Sequence, residues 1–482
     1  MPSSHDEDAR ARFPLAIDLD GTLIKSDTLH EGVVGCIKAH PHEIHGIAQT
    51  LRKGKAAFKR AVADRVSFDA SALPYNEDVL SYLREQRRAG RRLGLFTAAD
   101  QSIADAVAAH LGLFDVAVGS DGTVNASGAR KLEAIRRTFG DDFAYAGNDA
   151  VDAPIFKASR SVVLVGPVDR LRNYVPPEVK VEAAFALRKP RLRDWVRALR
   201  LEHWAKNSLV FVAPVLGFQQ LTPLAALQVL ILFVAMGLLA SATYIVNDLF
   251  DLAADRQHPR KRFRPFAAGV IPVRDGLVAA CALLLVSFGL ALFLPRAALL
   301  ALLAYLAVTL AYSLALKRQP IVDVIVLAGL FTLRVLAGSL LVATTVSPWL
   351  LSFSMLFFLG LAMVKRYAEL ERVIRSGGSE VLSRGYSARD LPLLLSAGVA
   401  AGFSSVVLFT IYLINDHYPR DIYNNPAALW GMMPILLLFV LRIWHLAAHG
   451  RMHEDPVVFA LRDRFSLGLG CAMIVTLIAA WS

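Results

Sequence analysis

Two groups of aspartates in this chain have spacings that suit chemistry on phosphates. Asp248, Asp251 and Asp255 follow a long apolar run and precede several basic residues. In a helix, positions i, i+3 and i+7 lie on one face, and three carboxylates there repel one another unless a divalent cation binds. The pattern predicts a Mg²⁺ site at the end of a helix.

The second group lies near the N-terminus. Asp18 and Asp20 end the apolar stretch "FPLAIDLDGTLI", which is typical of a buried parallel strand. Carboxylates at the carboxyl end of such a strand face the crevice in which open α/β sheets bind ligands. Other polar residues follow further apolar runs or open an amphipathic segment: Thr97, Lys131, Asn148 and Asp152.

The elements that position these groups differ between two parts of the chain. Residues 1–190 alternate apolar and charged stretches, as a soluble α/β domain does, whereas the chain is mostly apolar from about residue 205. Helices long enough to cross a bilayer are predicted at 207–220, 223–246, 275–294, 297–315, 321–342, 347–364, 392–414, 428–446 and 465–481. These nine spans predict a multi-pass protein of the plasma (inner) membrane.

The loops between the predicted spans indicate an orientation. Lys and Arg concentrate in 188–206, 247–274 and 365–391, and loops rich in these residues stay in the cytoplasm. The N-terminal domain is therefore predicted to be cytoplasmic and the C-terminus to lie outside. The net charge of +11 is attributed to this topology and to anionic membrane lipids. Nothing indicates nucleic-acid binding, and the pattern leaves open whether the chain forms a homo-oligomer.

The order of the N-terminal motifs resembles that of the haloacid dehalogenase superfamily of phosphohydrolases. The carrying residues are "DLDGT", the apolar run ending in Thr97, Lys131 and "GNDAVD". The resemblance implies a Rossmann-like α/β fold over 12–170, with a small helical cap at about 27–72. It leaves 1–11 as a polar tail and 171–190 as a linker.

The resemblance also implies the roles of these residues. Asp18 would be the nucleophile, Asp20 the general acid and base, and Thr97 and Lys131 the ligands of the phosphoryl group. The Mg²⁺ ligands would be Asp18, Asp20, Asn148 and Asp152. The family usually has an acid where Asn148 stands, so Asp149 is an alternative ligand and a catalytically inactive domain is an alternative interpretation.

The pattern Asn247-Asp248-x-x-Asp251-x-x-x-Asp255 resembles the first aspartate-rich motif of the UbiA superfamily of intramembrane prenyltransferases. That family has an all-α fold of nine transmembrane helices, and the resemblance covers 191–482. Its motif binds Mg²⁺ and a diphosphate. Asp323 stands at the second motif, where aromatic prenyltransferases carry another acid four residues later; here that position is Leu327.

The stretches "HWAKNSLVFVAP", "KRYAEL" and "HEDPVVFALRDR" resemble one branch, the decaprenyl-phosphate phosphoribosyltransferases. These move 5-phosphoribose from phosphoribosyl diphosphate to a polyprenyl phosphate. The resemblance implies that Asp248, Asp251 and Asp255 are catalytic Mg²⁺ ligands. The substrate-binding residues that it implies are Lys206, Asn207, Asn247, Lys261, Arg262, Arg264, Tyr312, Lys317, Asp323, Arg334, Lys365, Arg366, Tyr367 and Glu369.

The two resemblances together predict a bifunctional membrane enzyme. The transferase would make a polyprenyl-phosphoryl-5-phosphoribose, and the N-terminal domain would remove its 5-phosphate to give a lipid-linked precursor of cell-wall arabinan. Two alternatives remain. One is a UbiA-type prenyltransferase that uses a prenyl diphosphate and another acceptor, and the other is a transferase with a non-catalytic N-terminal domain.

Overall fold

The computed structural model describes residues 13–66, 68–216, 221–342, 346–378, 380–381, 384–417, 423–452, 455–460 and 462–482. The chain divides into two compact units. The first unit combines Met1–Leu199 with Tyr244–Ala280, and the second combines Arg200–Thr243 with Cys281–Ser482. The acidic segment around Asp251 thus belongs to the same unit as the N-terminal domain.

A parallel sheet of six strands forms the centre of the first unit. In chain order the strands are β1 (Leu15–Ile17), β2 (Leu93–Asp100), β3 (Val116–Ser120), β4 (Ala144–Gly147), β5 (Ser161–Gly166) and β6 (Lys180–Ala186). Their order in the sheet is β3-β2-β1-β4-β5-β6. Ile17 pairs with Leu95 on one side and with Ala146 on the other. The chain order reverses between β1 and β4, and ligands of such sheets bind at the carboxyl ends of strands at this point.

Helices cover both faces of the sheet and form an insertion after β1. They are α1 (Thr28–Ala39), α2 (Ile44–Gln49), α3 (Lys55–Ala63), α4 (Glu77–Arg88), α5 (Gln101–Leu111), α6 (Ala129–Phe139), α7 (Ala153–Ala158), α8 (Val168–Arg172) and α9 (Leu192–Leu199). The insertion α1–α3 has its own apolar cluster of Cys36, Ile47 and Val62. Helices therefore occur where a cap was predicted. The predicted linker 171–190 contains β6, which pairs with β5.

The acidic segment is built from a helix end, a second short helix and a loop. The long helix α11 (Pro223–Phe250) ends just before Asp251, which adopts φ −103° and ψ 13° and is the N-cap residue of α12 (Leu252–Gln257). The expectation that all three aspartates share one continuous helix is therefore wrong, because the helical backbone is interrupted at Asp251. A left-handed turn at Gly269 (φ +67°) follows, where an added Cβ would lie 2.7 Å from Lys25 Cβ.

Eight helices of the described residues are long and apolar enough to cross a membrane. They are Pro223–Phe250, Val273–Ala291, Arg296–Leu314, Val322–Val342, Pro348–Arg375, Ala388–Asp416, Pro426–Ala448 and Arg464–Trp481. The predicted first span, 207–220, is not such a helix. Its described part belongs to a 3₁₀ helix, Leu201–Phe211, and to α10, Val212–Leu216, and residues 217–220 lie outside the described part.

Small residues bring the elements of the second unit close together. A Cβ at Gly338 would lie 2.0 Å from the carbonyl oxygen of Val210, so the 3₁₀ helix packs directly on Val322–Val342. Similarly, a Cβ at Gly360 would lie 3.3 Å from the carbonyl oxygen of Gly398. Small residues permit such close approach of helices in membranes. The first contact places Asn207 beside Arg334.

Candidate active sites

Asp18, Lys131 and Asp152 meet at the carboxyl ends of β1 and β4. The Lys131 ammonium lies 2.8 Å from Asp18 Oδ1 and 3.6 Å from Asp152 Oδ1, and it donates a hydrogen bond of 3.2 Å to the Tyr145 hydroxyl. All three charged side chains are buried. The predicted nucleophile and the predicted phosphate-binding lysine are therefore adjacent.

Asp20 lies in an environment that favours its protonated form. Burial, and then the negative charge of Asp27, raise the pKa of Asp20 to about 7, although hydrogen bonds from Thr28 oppose the shift. The Thr28 amide and hydroxyl donate to its two oxygens at 2.8 and 3.2 Å. A carboxyl group with a pKa near neutrality can both give and take a proton.

The acids at this edge of the sheet provide oxygen donors of the type that Mg²⁺ prefers. Burial raises the pKa of Asp152 to about 6, and the Asp18 carboxylate adds to the shift while Lys131 opposes it. One ammonium therefore compensates these carboxylates incompletely, and oxygen ligands are those that Mg²⁺ prefers. No cluster of three or more His, Cys, Asp or Glu side chains forms a ready metal site anywhere in the described ranges.

The other residues predicted at this edge of the sheet make hydrogen bonds outside the cluster of Asp18, Lys131 and Asp152. Thr97 is buried, and its hydroxyl accepts from the amide of Ala99 at 3.0 Å. Asn148 Oδ1 accepts from the Thr22 hydroxyl at 3.2 Å. The Asp149 carboxylate instead accepts from the amide of Ala150 at 2.5 Å and is exposed. Asn148, rather than Asp149, thus packs on the turn that holds Asp18 and Asp20.

A cavity of about 390 Å³ opens beside Asp20, between the insertion and the sheet. Its wall is largely apolar, with Phe58 and Phe68 among the lining residues, and it also carries Lys55 and Lys59. The Lys59 ammonium donates to the carbonyl of Ala98 at 2.6 Å, and burial lowers its pKa. The motif comparison missed both lysines, because they lie in the insertion, outside the motifs.

In the acidic segment, Arg264 bridges two of the three aspartates. Its Nη1 lies 3.1 Å from Asp248 Oδ1 and 2.6 Å from Asp255 Oδ2. Both carboxylates are buried, while the arginine side chain is 29% exposed. Lys261 lies further off, 3.9 Å from Asp255 Oδ1. Despite the break at Asp251, the first and third aspartates therefore converge, and oxygen ligands of this kind suit Mg²⁺.

The middle aspartate faces the inserted helix α1. Lys38 Nζ lies 3.2 Å from Asp251 Oδ1 and 2.5 Å from the carbonyl oxygen of Phe250. Asn247 lies one turn earlier, where its carbonyl accepts from the amide of Asp251 at 3.0 Å. Arg262 is exposed, and its guanidinium stands over the ring of Phe263 at 4.8 Å. The sequence patterns did not point to Lys38.

In the second unit, two predicted lysines share one acid. Asp455 Oδ2 lies 2.9 Å from Lys206 Nζ and 3.1 Å from Lys365 Nζ. Burial alone would raise the pKa of Asp455, but the two ammonium groups outweigh it and hold the pKa well below its usual range. Asp455 was not predicted as a site residue, although it belongs to the stretch "HEDPVVFALRDR".

Asp323 is the centre of a second cluster in this unit. Arg366 donates to both of its oxygens through Nε and Nη2, and the Tyr312 hydroxyl donates to Oδ1 at 2.7 Å. Arg384, which was not predicted, lies 3.6 Å from Asp323 Oδ1. Arg366 also pairs with Glu369 at 2.5 Å. Four predicted residues are thus brought together.

Arg334 is buried in a polar network inside the second unit. It donates to Asn207 Oδ1 at 3.0 Å, to the Tyr305 hydroxyl at 2.7 Å and to the carbonyl of Leu330 at 2.6 Å. Its guanidinium and the Lys206 ammonium stand over the same ring, that of Phe331, at 5.3 and 5.6 Å. Arg334 and Lys206 are therefore neighbours.

Two predicted residues have other surroundings. The ring of Tyr367 packs edge-to-face on Trp444, with ring centroids 5.9 Å apart, within the apolar core. Lys317 is half-buried on a short 3₁₀ helix, Leu316–Arg318. The Tyr367 contact is apolar, so its predicted role in substrate binding remains a prediction, as does that of Lys317.

The apolar helices and the acidic segment define a multi-pass membrane protein. The model of the UbiA prenyltransferase family matches residues 208–477, which is more than half of the chain, and the chain belongs to this family.

Among relatives, the uncharacterized protein y4nM of Sinorhizobium fredii is 40% identical over 97% of this chain and 91% of its own. Decaprenyl-phosphate phosphoribosyltransferase of Mycobacterium tuberculosis is 33% identical over 59% of this chain and 93% of its own. A UbiA homolog from Archaeoglobus fulgidus, solved with GPP and Mg²⁺, is 17% identical with a TM-score of 0.45, over 59% of this chain and 99% of that chain.

Proposed function

We propose that this protein transfers 5-phosphoribose from phosphoribosyl diphosphate to a polyprenyl phosphate, and that its N-terminal domain then removes the 5-phosphate. Both substrates of the first step carry phosphate groups, three on phosphoribosyl diphosphate and one on the lipid. In this proposal the N-terminal domain faces the cytoplasm, where a soluble sugar diphosphate is available.

The observation that carries the transferase assignment is the excess of cations in the second unit. The linked clusters contain five cationic side chains, Lys206, Arg334, Lys365, Arg366 and Arg384, against three carboxylates, Asp323, Asp455 and Glu369. Asp323, at the second motif, is neutralised by arginine and is followed four residues later by Leu327. Such a cluster favours phosphate rather than a second metal. The similarity to decaprenyl-phosphate phosphoribosyltransferase supports the same substrates.

In the proposed transfer, an oxygen of the lipid phosphate attacks C1 of ribose and the diphosphate leaves. Mg²⁺, when bound at Asp248, Asp251 and Asp255, would neutralise the leaving diphosphate. Arg264 already pairs with two of these acids. It is therefore close enough to pair with a phosphate of the diphosphate when that group binds. The reaction requires no protein nucleophile.

In the proposed hydrolysis, the Asp18 carboxylate attacks the phosphorus of the 5-phosphate, and the bond to the ribose oxygen breaks. Protonated Asp20 gives its proton to that oxygen. It later takes a proton from the water that attacks the phosphorus of the aspartyl-phosphate, which restores the Asp18 carboxylate and releases inorganic phosphate. Lys131, 2.8 Å from Asp18, would balance the charge of the phosphoryl group. The cavity beside Asp20 would receive the rest of the substrate. Its lysines would face the second phosphate, and its apolar wall would contact the first isoprene units.

The test uses the purified full-length protein, Mg²⁺, phosphoribosyl diphosphate and a polyprenyl phosphate, with mass spectrometry of the lipid product. The wild type should form a polyprenyl-phosphoryl-ribose, whereas Asp18→Asn should accumulate the same lipid with one more phosphate. If both proteins release the same lipid, the N-terminal domain is not the phosphatase of this sequence. If a prenyl diphosphate is consumed and phosphoribosyl diphosphate is not, the transferase assignment is wrong.

A further inference from the structure

The inserted helix α1 is fixed to the acidic segment by a buried ion pair. Both guanidinium nitrogens of Arg256 bind Glu31, at 2.9 and 2.5 Å, and both side chains are about nine-tenths buried. Arg256 also donates to the carbonyls of Ala72 and Ala267 at 3.3 and 3.1 Å. Because buried, hydrogen-bonded charge pairs are sensitive to geometry, this contact defines where α1 stands on the segment.

Further contacts surround this ion pair. Gln257 donates to Asp69 at 3.2 Å, and Gly269 approaches Lys25 so closely that a Cβ would collide with it. Residues 25–73 of the N-terminal domain thus contact the acidic segment at several points. All of these residues belong to the first unit.

Lys38 lies in the last turn of α1. The contact of α1 with the acidic segment places Lys38 beside Asp251, the middle aspartate. Its ammonium contacts Asp251 and the carbonyl of Phe250, the last residue of α11. The C-terminal end of a long helix carries partial negative charge, so two negative groups attract the same cation. The Lys38 side chain is 30% exposed. Its ammonium has three N–H donors, and these contacts use two of them.

We infer that Lys38 is a ligand of the donor diphosphate, so that the N-terminal domain completes the anion-binding site of the acidic segment. The inference rests on the proposed function. A lysine ammonium is a common phosphate ligand, and it stands beside the aspartate that is expected to hold Mg²⁺ and diphosphate. A lysine that only caps the helix end would affect stability without affecting the affinity for diphosphate.

The test compares Lys38→Ala with wild type in the full-length protein, by steady-state transfer at varied phosphoribosyl diphosphate. Loss of one charged hydrogen bond is expected to raise KM for this donor about tenfold or more. KM for the lipid phosphate should stay within about twofold, and Lys38→Arg should recover part of the loss. Lys53→Ala, an exposed lysine of the same insertion, is the matched control and should behave as wild type. An unchanged donor KM in Lys38→Ala overturns the inference.

A second variant addresses the docking itself. Glu31→Gln weakens the buried ion pair without touching Lys38, and it should also raise the donor KM. Combining it with Lys38→Ala should then add little, because both changes remove the same contact. Fully additive effects would mean that α1 does not deliver Lys38 to the donor.

Direct binding separates this inference from the proposed function. Calorimetry with magnesium diphosphate needs no turnover, and Lys38→Ala should weaken binding by about tenfold or more. If the wild type forms no phosphoribosyl lipid but this difference in binding appears, the proposed reaction is wrong, whereas the assignment of Lys38 as a ligand of the diphosphate is right. If transfer occurs and both proteins bind magnesium diphosphate equally, only the inference fails.

Discussion

Two acid pairs of the first unit, Asp18–Asp152 and Asp248–Asp255, are each bridged by a single cation, and they differ in how the cation is held. Lys131 between Asp18 and Asp152 is buried on every side. Arg264 between Asp248 and Asp255 keeps 29% of its side chain exposed. A cation that is fully enclosed has a fixed position, whereas a half-exposed one can shift when a ligand arrives.

The supporting elements explain this difference. The first pair lies at the ends of β1 and β4, whose register is fixed by backbone pairing. The second lies where α11 ends and α12 begins, and its arginine comes from the loop that follows. We therefore interpret the first as a preorganised site for chemistry and the second as an adaptable site for a large, highly charged ligand.

The largest expected effect comes from Asp18→Asn, which removes the proposed nucleophile. Hydrolysis of a soluble phosphate ester should fall by at least about 10³-fold, measured as phosphate release. Transfer of phosphoribose, measured on the same preparation, should continue because the acidic segment is untouched. Equal loss of both activities would show that the two acid pairs belong to one site.

The converse change, Asp255→Asn, removes one acid of the second pair. Transfer should fall about 10²–10³-fold, as when one electrostatic contact to a developing charge is lost, while phosphate release from the soluble ester stays near the wild-type rate. Radiolabelled phosphoribosyl diphosphate measures the first rate. Full transfer activity in this variant would remove Asp255 from the site.

Exchanging lysine for arginine in the first pair, and arginine for lysine in the second, tests whether each cation has a fixed or an adaptable position. Lys131→Arg places a larger group in an enclosed space, and the resulting misalignment should lower phosphatase activity about 10²-fold. Arg264→Lys keeps the charge in a half-exposed place, and transfer should fall about tenfold or less. The comparison is contradicted if Arg264→Lys is the more damaging change.

The smallest effect is a pH dependence of the phosphatase activity, which comes from Asp20 beside the first pair. Asp20 must be protonated to act as the acid, and its pKa is raised to about 7. Phosphatase activity on an alkyl phosphate should therefore decrease as the pH rises above 7, by up to about tenfold per pH unit. An aryl phosphate with a good leaving group needs less protonation and should decrease less. Identical profiles for the two esters would remove Asp20 from this role.

Local patterns indicated the strands that hold the first pair. Apolar runs that end in polar residues indicated β1, β2 and β4, and parallel strands bring their carboxyl ends to one edge, where Asp18 and Asp152 lie. Lys131 was assigned by motif order and lies where that order implied. The assignment of this domain to a phosphatase superfamily remains part of the proposal.

The second pair and the clusters of the second unit were harder to predict. The break at Asp251 has no glycine or proline to indicate it, so the segment reads as one helix. Asp455 and Arg384 reach their partners across long stretches of chain, and no periodicity reports such contacts. The first part of the stretch predicted as a first span, up to Phe211, belongs to a 3₁₀ helix that packs closely on Gly338, an approach that hydropathy cannot indicate.

The composition of the first unit also has a consequence for synthesis. The N-terminal domain leaves the ribosome before residues 200–243 enter the membrane, and only then does the segment beginning at Tyr244 become available to it. At translation rates of about 5–20 residues per second, Glu31 and the apolar surface around Val34 and Leu73 are synthesised roughly 10–45 seconds before their partners Leu249 and Arg256. The surface around Glu31 is therefore made before the segment of the same unit that covers it.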